Sequence, residues 1–538
     1  MPKNSLRFLL VALGLAWAVD LLFWKQPLGL NFPLWVLLVL AGGIALIFTE
    51  GKKLHPAGWL LAALALALSL APLLRAEELT RAVSVLLAVL AVLLLVLTAR
   101  NGFWLFYRLA DWVTGGFELI AAALSRTPGL LRGAPPALDE EGKPLPQSAT
   151  PWRRFWRVAW RVLLGLLLAV PVVAVLAGLL SSADPIFQQN LEEFLKLFRL
   201  ERIPEYIFRT LYVLLFAYLF GGLLLQAVFP RKDTVRPDPA KPSIKGFLGP
   251  IETGVILGAV DVLFGLFVII QFRYFFAGQA NISLSGFTYS EYAVRGFNEL
   301  VTVAVLSLML YQVLGLLNKH ETAGHRLSFK ILSVLLFGLV LVILASSWLR
   351  LGLYENAYGF TRLRTYTHLF IPWLAGLLLV TTVLELLNRR GHFALALWLV
   401  SIGFGLALTL VNVDGFIVRQ NTARAAQGEE FDFDYLSQLS NDAVPAMLAG
   451  FNRSDAPALV KDTLGAQLAC RAQSARESTP APWRGFTLAE SQARRILLDP
   501  ANQAAWSEYS IQVGQSRTEY MVNVNGVLKD CNWFFSGN

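Results

Sequence analysis

Three polar stretches interrupt an otherwise apolar chain. In "FTYSEYAVRGFNEL" (287–300), Glu291, Arg295 and Glu299 recur at i, i+4 and i+8, which stacks them on one helical face as a ladder of two ion pairs beside Tyr289 and Tyr292. In "RLGLYENAYGFTRLRTYTH" (350–368), Arg350, Arg362 and Arg364 outnumber the carboxylate of Glu355, with Tyr354 among them. A planar guanidinium suits a phosphate, a carboxylate or a lipid head group, and it equally suits a protein carboxylate. In "NVDGFIVRQNTARA" (412–425), Asn412 and Asp414 end an apolar run ahead of Arg419, Asn421 and Arg424. Together the three stretches either line one polar chamber that holds an anionic ligand or neutralise one another as salt bridges. Asp261 stands apart, the only carboxylate near the middle of a long apolar run. It reads as a proton or cation relay, or as a neutral acid hydrogen-bonded between helices.

The elements that must position these groups are membrane helices. The 538 residues are 56% hydrophobic and only 15% charged, well outside the composition of soluble domains. At roughly 20 apolar residues per span, eleven helices are expected: 6–24, 30–48, 57–74, 81–98, 158–180, 206–229, 249–272, 298–317, 331–350, 368–388 and 393–416. The net charge of +9 is dispersed over short loops instead of one face, which points away from nucleic acid and toward orientation in a bilayer. Lys3/Arg7, Lys52/Lys53, the 99–157 connection, the basic residues of 231–245, Lys319/Arg326/Lys330 and Arg389/Arg390 fall on one side, predicted to be cytoplasmic. The N-terminus is then inside and the C-terminus outside. Arg350, Arg362 and Arg364 run against this trend, and that exception is what draws attention to them.

The organisation is a four-helix N-terminal membrane region (1–98), a cytoplasmic amphipathic helix and Pro-rich linker (99–157), a seven-helix core (158–417) and a soluble domain (418–538). Segment 103–124 is long enough to cross but carries Arg108, Asp111 and Glu118, so it reads as interfacial, as does 186–200 on the outer surface. The Pro-rich stretches 133–151 and 230–246 read as linkers. No A-x-A cleavage pattern follows the first apolar run, which is expected to remain an anchor.

After about Val418 the composition turns soluble and slightly acidic. Helical patterns at 434–450, 456–476 and 487–505 precede a hairpin around Asn525-Gly526, which makes a small α+β extracytoplasmic cap with Asp434 near a helix N-cap. The only two cysteines, Cys470 and Cys531, lie in this cap, where an oxidising compartment favours a disulfide between them. No C-x-x-C or His-x-x-x-His set is present, so no metal and no cofactor are expected.

Stretches 272–306, 346–366 and 412–448, joined by "PWRGFTLAESQARRILL" (482–498), resemble an uncharacterised bacterial multi-pass family, domain of unknown function 4173, related to 4153. The resemblance implies a bacterial cytoplasmic (plasma) membrane protein of this topology and supplies no activity. Phosphate-loop, nucleophile-elbow, zinc-protease and dinucleotide motifs are missing from the sequence. The best-fitting function is therefore a non-enzymatic ligand- or partner-binding protein, a sensor or assembly factor with an outer polar chamber. The partners are the bilayer, an anionic or lipid-linked ligand, and a protein met through the cap. A transporter of an anionic or lipid-linked substrate, and a membrane enzyme acting on a lipid-linked substrate, are the alternatives.

Overall fold

The computed structural model describes residues 2, 4–132, 203–230, 247–276, 297–319, 323–429, 431–513, 520–524 and 526–531. The expected span 158–180, the amphipathic 186–200 segment, both Pro-rich connections but for Pro230, and Tyr289, Glu291, Tyr292 and Arg295 lie outside them. The chain divides into two units: Met1–Asp20 with Ala121–Leu225, and Leu21–Ile120 with Gln226–Asn538.

It is a polytopic α-helical membrane protein with a small α+β domain at the C-terminal end. Among the described residues ten helices are long and apolar enough to cross a bilayer. They comprise α1 (Ser5–Phe23), α2 (Asn31–Thr49), α3 (Pro56–Ser69) continued by the single turn α4 (Ala71–Leu74), and α5 (Glu78–Thr98). After α6 (Leu109–Ser125) and α7 (Thr127–Arg132) come α8 (Ile203–Val228), α9 (Pro250–Phe276), α10 (Phe297–Leu317), α11 (Ala323–Tyr358), α12 (Arg362–Leu386) and α13 (Phe393–Val411). Each spanning helix exposes large apolar side chains on one face, as a lipid-facing surface requires.

In the larger unit, α2 packs on α3, α3 on α5, α5 on α13, and α13 on α12; α11 then packs on α12, α9 and α10. Gly405 of α13 lets the helices meet closely, since a Cβ there would lie 2.7 Å from Leu87 of α5. The helix α6 forms as the periodicity predicts, with Leu109, Val113, Phe117, Ile120 and Leu124 exposed along one stripe. Its Glu118 accepts a hydrogen bond from Gln226 of α8 (2.6 Å).

Two boundaries differ from expectation. The span expected at 331–350 is a 36-residue helix, so α11 carries Arg350, Tyr354 and Glu355 within its last turns, and only Gly359 to Thr361 separate it from α12. At 1.5 Å per residue it is about 54 Å long, well beyond the hydrocarbon core. Stretch 350–368 is thus a helical corner, turned at Gly359, whose φ of +79° favours glycine. The last span ends at Val411 instead of 416, because Asn412 takes a left-handed conformation (φ +50°) and caps a new helix, α14 (Val413–Ala425).

The cap contains α15 (Phe433–Ser437), α16 (Val444–Phe451), α17 (Ala458–Glu477), α18 (Leu488–Leu498), α19 (Pro500–Ala505) and an antiparallel sheet β1 (Ile511–Val513), β2 (Tyr520–Val524), β3 (Val527–Asp530). The N-cap of α15 is Asp432, whose side chain accepts the amides of Asp434 and Tyr435; Asp434, expected near the cap, sits in the first turn and pairs with Lys529 (2.9 Å). The α14 residues Val413, Ile417 and Val418 share one apolar cluster with Leu436, Met447, Leu464 and Leu468 of the cap. A disulfide joins Cys470 of α17 to Cys531 after β3.

Candidate functional site

Four connections of the larger unit converge on the cap. The first holds Pro27 to Leu30: Leu30 N–H donates to the Phe486 carbonyl (2.9 Å), and a Cβ on Gly29 would lie 2.5 Å from that oxygen. Arg484 donates to the Leu21 carbonyl (2.6 Å). The second connection, between α4 and α5, presents the Ala76 and Glu77 amides to Asp442 Oδ2 (2.7 and 2.9 Å), with Arg75 3.7 Å from Oδ1. The third is the α11–α12 corner and the fourth is Asn412, which donates to the Asp442 carbonyl (3.1 Å).

Arg362 and Asp414 form the centre of this junction. Nε and Nη2 of Arg362 donate to the two Asp414 oxygens (2.8 and 2.6 Å), and the Ser440 amide of the cap donates to Oδ2 (2.6 Å). Asp414 is fully buried. A buried carboxylate is tolerable only with such compensation. The Tyr435 hydroxyl accepts the Arg362 amide (2.6 Å). Next to it Glu77 caps α5, accepting from Leu79 and Thr80 N–H (2.8 and 2.7 Å), and receives the Tyr366 hydroxyl. Burial raises the Asp442 carboxyl above its ordinary range, and the Ala76 and Glu77 amides and Arg75 offset this only in part. Arg471, which spends its donors on the Leu436, Leu439 and Ser440 carbonyls, is lowered by burial to about 9.

The sequence-predicted residues divide accordingly. Arg362, Asp414 and Asn412 come together in the junction. Glu355 instead faces His368 (2.7 Å), whose ring abuts Trp348 (3.9 Å between centroids). Arg350 is buried on α11. Arg364 lies 3.8 Å over the Tyr354 ring and donates to the Tyr358 and Gly359 carbonyls. Glu299 is exposed at the start of α10. Asp261 is buried within α9. The junction also uses Arg75, Glu77, Tyr366, Ser440, Asp442 and Arg471, none of which was singled out. The one sequence signal was a cap-like position for Glu77 before an apolar run.

At the opposite end of the same helices, Glu385 is gripped by Arg390 and by the Tyr311 hydroxyl (2.5 Å), with Arg390 over Phe329 (4.6 Å). Phe106 meets His392 there (6.4 Å), and Leu248 bridges Asn318. In the smaller unit, Asp20 is held by Arg209 (2.8 Å) and Tyr212. Between α10, α12 and α13 runs a groove of about 380 Å³ lined by Asn298, Thr302, Leu363, Tyr366, Phe370 and Phe404, among others. Among the described residues no three His, Cys, Asp or Glu side chains converge to hold a metal.

A family model described as a domain of unknown function (DUF4153) matches residues 60–450. The chain belongs to that family. The match is to 4153, the relative of the 4173 family named above, and the DUF4153 region takes in Glu77, Asp261, Arg362, Glu385, Asp414 and Asp442, stopping short of Arg471 and the disulfide. Comparison with curated proteins and with solved structures gave no match.

Proposed function

We propose that this DUF4153 protein is a non-enzymatic binding protein of a bacterial cytoplasmic membrane, a sensor or assembly factor whose extracytoplasmic cap meets a protein partner. The observation that carries this reading is the junction: the Arg362–Asp414 pair, closed by the Ser440 amide, ties the cap to the helix ends through buried hydrogen bonds. An event at the cap surface then has a stiff route to α12, α13 and α5. The β3 residues Val527 and Leu528, and separately Trp483, expose large apolar side chains on the cap, a composition suited to a partner contact.

The orientation rests on charge. Lys52, Lys53, Lys330, Arg389 and Arg390 lie at the end away from the cap, which is the cytoplasmic end by the positive-inside rule. Single cysteines test it. An impermeant maleimide should label Thr479→Cys in intact cells and Lys53→Cys only after permeabilisation; the reverse pattern contradicts the orientation.

A second reading, a transporter or enzyme for an anionic lipid-linked substrate, is favoured by the groove below the junction, polar at Asn298 and Thr302 and apolar at Phe370 and Phe404. A photo-crosslinker placed at Leu528 separates the two. The first reading expects one discrete protein adduct in native membranes; no adduct, together with an isoprenoid or phospholipid co-purifying and lost on Phe404→Trp, favours the second.

A further inference from the structure

Asp261 breaks the pattern set by every other buried carboxylate described above. It is 5% exposed, sits about midway along α9, and neither carboxylate oxygen has a hydrogen-bond partner among the described residues. Its surroundings follow from the helix register. The Ser346 hydroxyl meets Gln271, and Val268 packs with Leu300 and Ile343, so α9 and α11 run in the same direction with α10 against both. Leu257, one turn before Asp261, packs in the cluster of Ala304, Leu308, Tyr311 and Phe337. Asp261 therefore lies on the α9 stripe that faces α11, between two hydrophobic clusters to which α10 also contributes.

No counter-charge faces it from those elements. Residues 300–317 of α10 and 331–349 of α11 contain no charged side chain. Within those stretches the one titratable group is Tyr311, which donates to Glu385 (2.5 Å); Glu299 on α10, and His325, Arg326, Lys330, Arg350, Tyr354, Glu355 and Tyr358 on α11, lie beyond their ends. An ionised carboxylate here would forfeit its hydration with neither a donor nor a cation from the described residues in return. The neutral acid avoids most of that loss.

We propose that Asp261 is a membrane-embedded proton-binding site, a carboxylic acid that carries an exchangeable proton at neutral pH. This stands apart from the cap reading and needs none of the junction residues. Its neighbours Val262, Leu263 and Leu266 are exposed toward the lipid, so a lipid-soluble reagent can reach within a residue of it.

Two measurements on the full chain in lipid vesicles test the site. A lipophilic carbodiimide reacts with protonated acids: the acid proton passes to one carbodiimide nitrogen as a carboxyl oxygen bonds the central carbon, and acyl transfer to nitrogen then leaves a stable N-acylurea. Peptide mass mapping should place that adduct on Asp261, absent in Asp261→Asn and retained in Glu385→Gln. The infrared difference between wild type and Asp261→Asn at neutral pH should contain a protonated-acid carbonyl band that shifts in heavy water. A carboxylate band lost in the variant instead would mean an ionised group with a bound cation and would overturn the proposal. So would an adduct that survives Asp261→Asn.

Discussion

Asp414 and Asp261 are both buried aspartates of the same unit. Asp414 receives two guanidinium bonds and a backbone amide, whereas Asp261 receives no hydrogen bond from the described residues. Asp442, Glu77 and Glu385 behave like Asp414: each stands at an end of the helical core and each is held by at least two donors. The contrast teaches where charge is structural. At the helix ends, free amides and long cationic side chains are within reach, so a carboxylate becomes a fastening. At mid-span the backbone is already paired and residues 300–317 and 331–349 supply no cation, so the same side chain is left as an acid.

Breaking the fastenings should show the largest effect. Asp414→Ala leaves the Arg362 guanidinium without its carboxylate in a buried junction, an expected loss of about 3–5 kcal/mol, read as a lowered unfolding midpoint in detergent. Gly29→Ala drives a methyl into the Phe486 carbonyl. About 1–3 kcal/mol of cap docking should go, seen as faster proteolysis near 483–487 with the helical core unaffected.

Asp442→Asn should cost less, about 1 kcal/mol, because burial already disfavours the charge on Asp442. The sign of its pH dependence follows from the raised carboxyl. The Asp442 contribution is fully present below the ordinary aspartate range and is lost as pH rises through the raised native value. A wild-type stability curve should therefore fall over that window, and the Asp442→Asn curve should lack that fall. Asp261→Asn, which exchanges one neutral group for another, should change stability least, by less than about 1 kcal/mol in the same unfolding assay. A loss as large as that of Asp414→Ala would erase the contrast.

Much of the frame was legible because it depends on local properties. Apolar run length located ten of the helices, and the isolation of two cysteines in one polar segment pointed to their bridge. The helical ends at the α11–α12 corner fall outside the expected spans 331–350 and 368–388 because the arginines and Glu355 lower the hydropathy of turns that remain helical. Asn412 was hidden by the apolar residues on both sides of it, since a single left-handed residue leaves no periodic trace. Arg362 and Asp414 were visible as charges out of place, yet the Ser440 amide and Tyr435 hydroxyl that complete their pair were not. Asp442 meets the amides of Ala76 and Glu77 across more than 360 residues, through a contact made by backbone groups that carry no sequence signal.

Hydrogen–deuterium exchange on the intact protein in lipid, comparing wild type with Asp414→Ala, tests most directly whether the junction fastens the cap to the helices. The variant should exchange faster at 433–451 and at the start of α12, with α9 unchanged. Equal exchange in both proteins across 433–451 would contradict that fastening.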